Sequence, residues 1–235
     1  MTIIMAGIIA IVITFMSKIQ NGKLKAVIYS LPLPISLSLL AIGTQVESNH
    51  ITGLILLAGF LWSTYFLYVK CHQSILMSDV ISAVIYIIIG YATKETSRID
   101  FWWMFFAYSI LWFIFLNFYH PKQEFGTKSS TNIIIKGSTV FITSFVLLSL
   151  KSFLSGFIVT FPYSGIFAVK ESKDTLYSLA AEFTKNSIAI LIFFATIKIS
   201  FEKLGLPISI GLGWIIYLPT LWIVQRLKQT AANTI

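Results

Sequence analysis

Two residues in the stretch TLYSLAAEFTKNSIAILIFFATIKI, residues 175 to 199, have the types and the spacing to do chemistry inside an apolar environment. Glu182 and Lys185 stand three apart, on one face if the stretch is helical, where a carboxylate and an ammonium can bond along the helix. If that helix begins near Leu176, Glu182 lies about 9 Å inside its end by helical rise. Ionisable groups at such depth in a membrane face the bundle interior and mark ion or solute paths. On that reading Glu182 is a coupling site for a proton or cation, and Lys185 is its partner or the ligand of a substrate anion. If the helix begins near Asn186, both are loop charges. Asp79, in the apolar run 75 to 92, is either a residue at the start of a span or a second coupling acid.

Prolines make the second constellation. IYSLPLPISLSLL, residues 28 to 40, carries Pro32 and Pro34, and FIVTFPYSGIFAV, residues 157 to 169, carries Pro162. Each proline removes an amide donor and clashes with the carbonyl four residues back. Lipid cannot satisfy the freed groups, so broken backbone at membrane depth belongs inside protein or against a water-filled cavity. Ser30, Ser36, Ser38, Thr160 and Ser164 lie beside the breaks and suit either rescue of the carbonyls or binding of a solute. A half-helix starting after Pro34 or Pro162 would aim its free amides inward, a geometry suited to an anion. Pro34, Ser36, Pro162, Ser164 and Lys185 are therefore the expected substrate-binding residues, with Glu182 and Asp79 for coupling. An ordinary proline kink with serines serving the local backbone is the competing reading.

These residues sit in a chain made for lipid. Of 235 residues 57% are hydrophobic and 11% charged, with mean hydropathy +0.85. A soluble domain of that composition would show water more contiguous apolar surface than it tolerates. The formal charge of +8 comes from basic residues scattered through short loops, which speaks for a positive-inside bias and against a nucleic-acid partner. Cys71 is the only cysteine, so neither an internal disulfide nor a cysteine-cluster metal site is available. No HExxH, GxSxG or Walker glycine loop occurs, and His50, His72 and His120 each fall near the end of an apolar run. The pattern contains no set of acids, bases and nucleophiles for an enzyme, and calls for no metal or cofactor.

Apolar runs of the length needed to cross a bilayer, about 17 to 25 residues with shorter ones at the margin, fall at 3–17, 26–43, 51–69, 75–92, 101–118, 133–150, 153–169, 176–200 and 207–225. The expected fold is thus all-α, a polytopic transmembrane bundle of nine spans. Eight is the alternative, because the first run is short and the fourth and eighth carry charge. The first run has no basic leader or small-residue cleavage pattern and reads as a retained span. With the N-terminus outside, eleven Lys and Arg residues fall on the cytoplasmic side and five, Lys94, Arg98, Lys151, Lys198 and Lys203, on the other. That bias favours N-out and C-in.

A shift of 128 residues places Pro34-Ile-Ser36 on Pro162-Tyr-Ser164 and Lys70 on Lys198. It also lays the four apolar runs of the first part over those of the last. The expected organisation is a first four-span repeat over 1–94, a spacer helix with its loops over 95–131, and a second four-span repeat over 132–235. An odd spacer turns the second repeat upside down, and inverted repeats with interrupted helices at matching positions are the architecture of alternating access. The alternative is that two hydrophobic bundles align by composition alone.

Phe161-Pro162, the charged group Lys170-Glu171-Ser172-Lys173, a long span, and Leu206-Pro207 ahead of a run containing Trp214 together resemble the GlpM-type small bacterial inner-membrane proteins. The likeness covers roughly residues 133–227, about one such protein per repeat. The first half differs, with Leu33-Pro34 in place of Phe-Pro and no Lys-Glu group after it. The resemblance implies a bacterial inner membrane and an internal duplication. The functional expectation is a secondary transporter of a small anionic solute, coupled to a proton, with the bilayer and the solute as partners and room for a homodimer. The alternative is a membrane subunit or scaffold that transports nothing.

Overall fold

The computed structural model describes residues 2–16, 27, 30–118, 137, 138, 140–142, 145, 159–162, 169 and 173–227. Among them every regular element is helical. The α-helices are α1 (Thr2–Met16), α2 (Leu33–Ile42), α3 (Ser48–Tyr65), α4 (Ile75–Ala92), α5 (Phe101–Phe118) and α6 (Leu176–Arg226). A π turn, Phe66–Lys70, extends α3, and 3-10 turns at Lys94–Arg98 and Lys173–Thr175 precede α5 and α6.

Local chemistry sets the ends of these helices. The Ser74 hydroxyl accepts the Met77 amide at 3.3 Å and so caps α4. At the start of α3 the Glu47 carboxylate takes the His50 amide, and His50 Nδ1 accepts the Glu47 N–H at 3.0 Å, a reciprocal box. Helix α2 ends on Gly43 at φ 75°, a left-handed position whose amide bonds the Leu39 carbonyl at 2.8 Å.

Four helices among the described residues are long and apolar enough to cross a membrane: Ser48–Lys70, Ile75–Ala92, Phe101–Phe118 and Lys173–Arg226. The expectation of nine spans is not met there. Helix α1 has 15 residues and α2 only 10. The expected span 26–43 is cut by a turn at residues 30–32, and its regular part starts at Leu33. Pro32 is the N-cap and Pro34 falls in the first turn, where no amide donor is needed. The prolines start a helix instead of bending one. The runs 133–150 and 153–169 lie mostly outside the described residues. The run 75–92 matches α4 and 101–118 matches α5 to the residue.

Helix α6 is a hairpin. Its 51 residues are interrupted at Gly205, φ 71° and ψ 169°, with Pro207 just beyond. The arms 176–204 and 206–226 fold back on each other, as contacts of Phe193 with Trp214 and Tyr217 and of Asn186 with Gln225 require. Helix α3 packs against α4, α5 and α6, while α1 packs on α2. The core holds Leu39, Ile51, Leu54, Phe60, Phe193, Phe194 and Tyr217. The outward faces carry Ile110, Phe113 and Phe118 of α5, Val80 and Ile88 of α4, and Ile215 and Trp222 of α6. Surfaces this apolar belong in lipid, and the chain is a membrane-embedded helical protein.

Candidate functional site

The first arm of α6 carries a run of polar side chains, Glu182, Thr184, Lys185, Asn186 and Ser187, through an otherwise apolar bundle. The helix begins at Leu176, so Glu182 and Lys185 are helical residues and not loop charges. Lys185 Nζ lies 2.7 Å from Glu182 Oε2, with the two side chains 6% and 17% exposed. Removed from water, such a pair depends on its partner and on further hydrogen bonds.

Other elements reach this layer with polar side chains. From α3, Trp62 Nε1–H donates to Thr184 Oγ1 at 3.0 Å. From α5, Trp112 Nε1–H donates to the Lys185 carbonyl at 2.8 Å, and the Tyr108 hydroxyl donates to Ser187 Oγ. Asn186, fully buried, donates through Nδ2 to Ser30 Oγ at 3.1 Å and accepts Gln225 Nε2–H at Oδ1, 2.7 Å away. The layer thus ties α3, α5, both arms of α6 and the turn before α2 together.

That turn is the first proline break, and its freed carbonyls are satisfied by protein. The Tyr217 hydroxyl donates to the Ser30 carbonyl at 2.6 Å. Ser36 Oγ donates to the Pro32 carbonyl at 2.6 Å and accepts Trp214 Nε1–H at 3.1 Å. Ser36 and Pro34 are buried. Their polar groups serve the backbone and the second arm of α6.

The second break, residues 159–162, meets different partners. Thr160 Oγ1 and the Tyr86 hydroxyl of α4 are 3.0 Å apart and hydrogen bonded, and the Phe161 ring packs edge-on against Tyr86. Thr160 also presses on Gly53 of α3, where an added Cβ would stand 1.9 Å from Thr160 Oγ1. Pro162 is buried, while Ser164 lies outside the described residues. The first arm of α6 presents Phe193 to Trp214 and Tyr217, beside the first break, and Phe194 to His50 of α3. The structure joins Ser36 to the α6 layer through Trp214 and places Thr160 and Pro162 against α3 and α4.

Asp79 stands apart from all of these. It is 5% exposed on α4, and its Oδ1 has no hydrogen-bond partner among the described residues; the neighbouring Ser82 Oγ, on the same helix face, has none there either. Among the described residues no group of three or more His, Cys, Asp and Glu is arranged to hold a metal ion.

Asn186, Gln225, Thr184 and Tyr217 belong to the site and were not singled out from the sequence. The available signal was a polar residue inside an apolar run, which Asn186 gives at least as clearly as Ser36 does. No protein-family model, curated protein or solved structure matches the chain.

Proposed function

We propose that the chain is a secondary transporter of a small anionic solute, working by alternating access and coupled to a proton. The observation that carries this reading is the Glu182–Lys185 pair, buried at the level where α3, α5, the first proline break and both arms of α6 exchange hydrogen bonds. Intramembrane ion pairs of this kind are costly and recur on solute paths. In the mechanism, Lys185 exchanges the Glu182 carboxylate for an anionic group of the solute. The Ser30 and Ser36 hydroxyls and the Asn186 amide supply hydrogen bonds as the second arm of α6 moves. Gly205 is the hinge, since its backbone conformation is one that glycine alone adopts freely.

The membrane arrangement that goes with this reading is nine spans in two inverted repeats, 1–94 and 132–235, around α5, with N-out and C-in orientation in a bacterial inner membrane. The antiparallel fold of α6 at Gly205 supports counting its arms as the last two spans, at about 43 Å and about 31 Å by helical rise. The Lys and Arg bias and the likeness to GlpM-type proteins support the orientation and the membrane.

A scaffold or subunit role is favoured by a separate observation: the polar groups of the first break are already bonded within the chain. Uptake by liposomes containing the full chain, screened over a panel of small carboxylates and phosphates, separates the two. A transporter takes up at least one solute and loses it in the double variant Glu182→Gln/Lys185→Met, which keeps neither charge and still accumulates in the membrane. A scaffold takes up none.

A further inference from the structure

Two acids, Glu182 and Asp79, are candidates for the coupling proton, and their surroundings differ in kind. Glu182 faces a cation at 2.7 Å. The Asp79 carboxyl receives no hydrogen bond and no ion pair from any described residue, and its Oδ1 is fully enclosed. The described elements packed on α4 are α3, its π turn, the 94–98 turn and the segment 159–162, which meets Tyr86 and carries no ionisable side chain. None of their charged and titratable groups bonds Asp79. His50 bonds the Glu47 amide at the far end of α3. Tyr65 packs edge-on against Trp62 and Tyr177. Glu95 and Arg98 pair with each other at 2.7 Å. Lys70, Cys71 and His72 are exposed, Tyr68 is half-buried, and none of these bonds Asp79; the side chain of Lys94 lies outside the described residues.

A charged carboxylate without donors or a counter-ion is strongly unfavourable in this setting. A metal cation would need several oxygen ligands around it. Here the nearest hydroxyl in sequence, Ser78 Oγ, already donates to the Ser74 carbonyl at 3.0 Å, and Asp79 Oδ1 is enclosed. The ligand that neutralises the carboxyl without additional oxygen ligands is a proton.

We propose that Asp79 is the proton-binding site of this protein, and that Glu182 is a fixed counter-charge to Lys185. Asp79, Ser82 and Tyr86 share one face of α4 at i, i+3 and i+7, and the Tyr86 hydroxyl holds Thr160 in the second proline break. When the Asp79 O–H bond breaks, the proton passes to water and the carboxylate is left facing apolar packing. That state favours a conformation with this face of α4 open to water, which draws Tyr86 from Thr160. The coupling role rests on the transport reading; proton binding at Asp79 does not.

The test is infrared spectroscopy of the detergent-purified full chain, with aspartate 13C-labelled at its side-chain carboxyl. The chain has three aspartates, of which Asp100 and Asp174 are exposed and Asp79 alone is buried, so the variant at Asp79 assigns the band. The expected result is an isotope-shifted carbonyl band of a protonated acid at neutral pH. It should fall about tenfold for each pH unit above its midpoint, persist in Glu182→Gln and vanish in Asp79→Asn. Absence of the band at neutral pH overturns the proposal, as does its removal by sodium at constant pH, which would mean a metal-ion site. If Asp79→Asn fails to accumulate, the labelled wild type decides alone. A band without uptake of any solute refutes the transport reading and leaves the proton site standing. Uptake without the band refutes the proton site only.

Discussion

Asn186 and Gln225 are 39 residues apart in sequence, and the Gln225 amide donates to the Asn186 carbonyl oxygen at 2.7 Å. The bond closes the open end of the α6 hairpin, while Gly205 forms its bend. The same Asn186 side chain reaches Ser30 in the first proline break. One amide thus links the two arms of α6 to the segment that the sequence marks as interrupted.

Removing that link tests whether the arms act as a unit. Asn186→Ala and Gln225→Ala are each expected to lower stability by about 1–3 kcal/mol, the cost of leaving a buried polar partner unsatisfied. The double variant should lose less than the sum, with a coupling of at least about 0.5 kcal/mol. Thermal unfolding in detergent measures all three; strict additivity would show that the bond contributes nothing.

The bend has its own test. Gly205 has open space where a Cβ would go, but its φ of 71° and ψ of 169° are almost closed to residues with a side chain. Gly205→Ala should therefore destabilise by about 1–3 kcal/mol through backbone strain alone. Contact between the arms, read by a disulfide engineered between residues 186 and 225, should form more slowly than in the parent.

Close approach of helices depends on two further glycines. A Cβ at Gly213 would stand 2.7 Å from the Phe193 ring, and one at Gly53 would displace Thr160 from Tyr86. Gly213→Ala and Gly53→Ala are expected to cost about 1–3 kcal/mol each by overpacking. Gly59→Ala, with nothing within 4 Å, is the matched control and should leave the unfolding temperature unchanged or slightly raised.

Charge removal at the ion pair should be asymmetric. Glu182→Gln or Lys185→Met removes the 2.7 Å contact from a largely enclosed charge and is expected to destabilise, by up to about 3–5 kcal/mol. The double variant should regain part of that stability, because neither charge is left to compensate. Under the transport reading it recovers folding without recovering uptake, an outcome that separates a binding role for Lys185 from a purely structural one.

Helix ends were legible where the signal is local. The apolar run 75–92 gave both limits of α4, and the run from Phe101 to Phe118 did the same for α5. The segment 26–43 was read as one interrupted span because composition alone does not say on which side of a proline the helix lies. The structure starts the helix at Leu33. Ser36 was expected beside a break and is there, bonded to Trp214, a partner 178 residues away that no local pattern names.

What the sequence by itself determined is a membrane-embedded, all-helical chain, because in lipid each helix must satisfy its own backbone. The Glu182–Lys185 contact was one of two readings of the sequence, and the helix start at Leu176 decided it. What only the tertiary structure decided is the choice of polar partners: Ser30 with Asn186 and Tyr217, Thr160 with Tyr86, and Asp79 with none. Those choices depend on which helix faces meet, and side-chain packing across 74 to 187 residues of chain separation sets that.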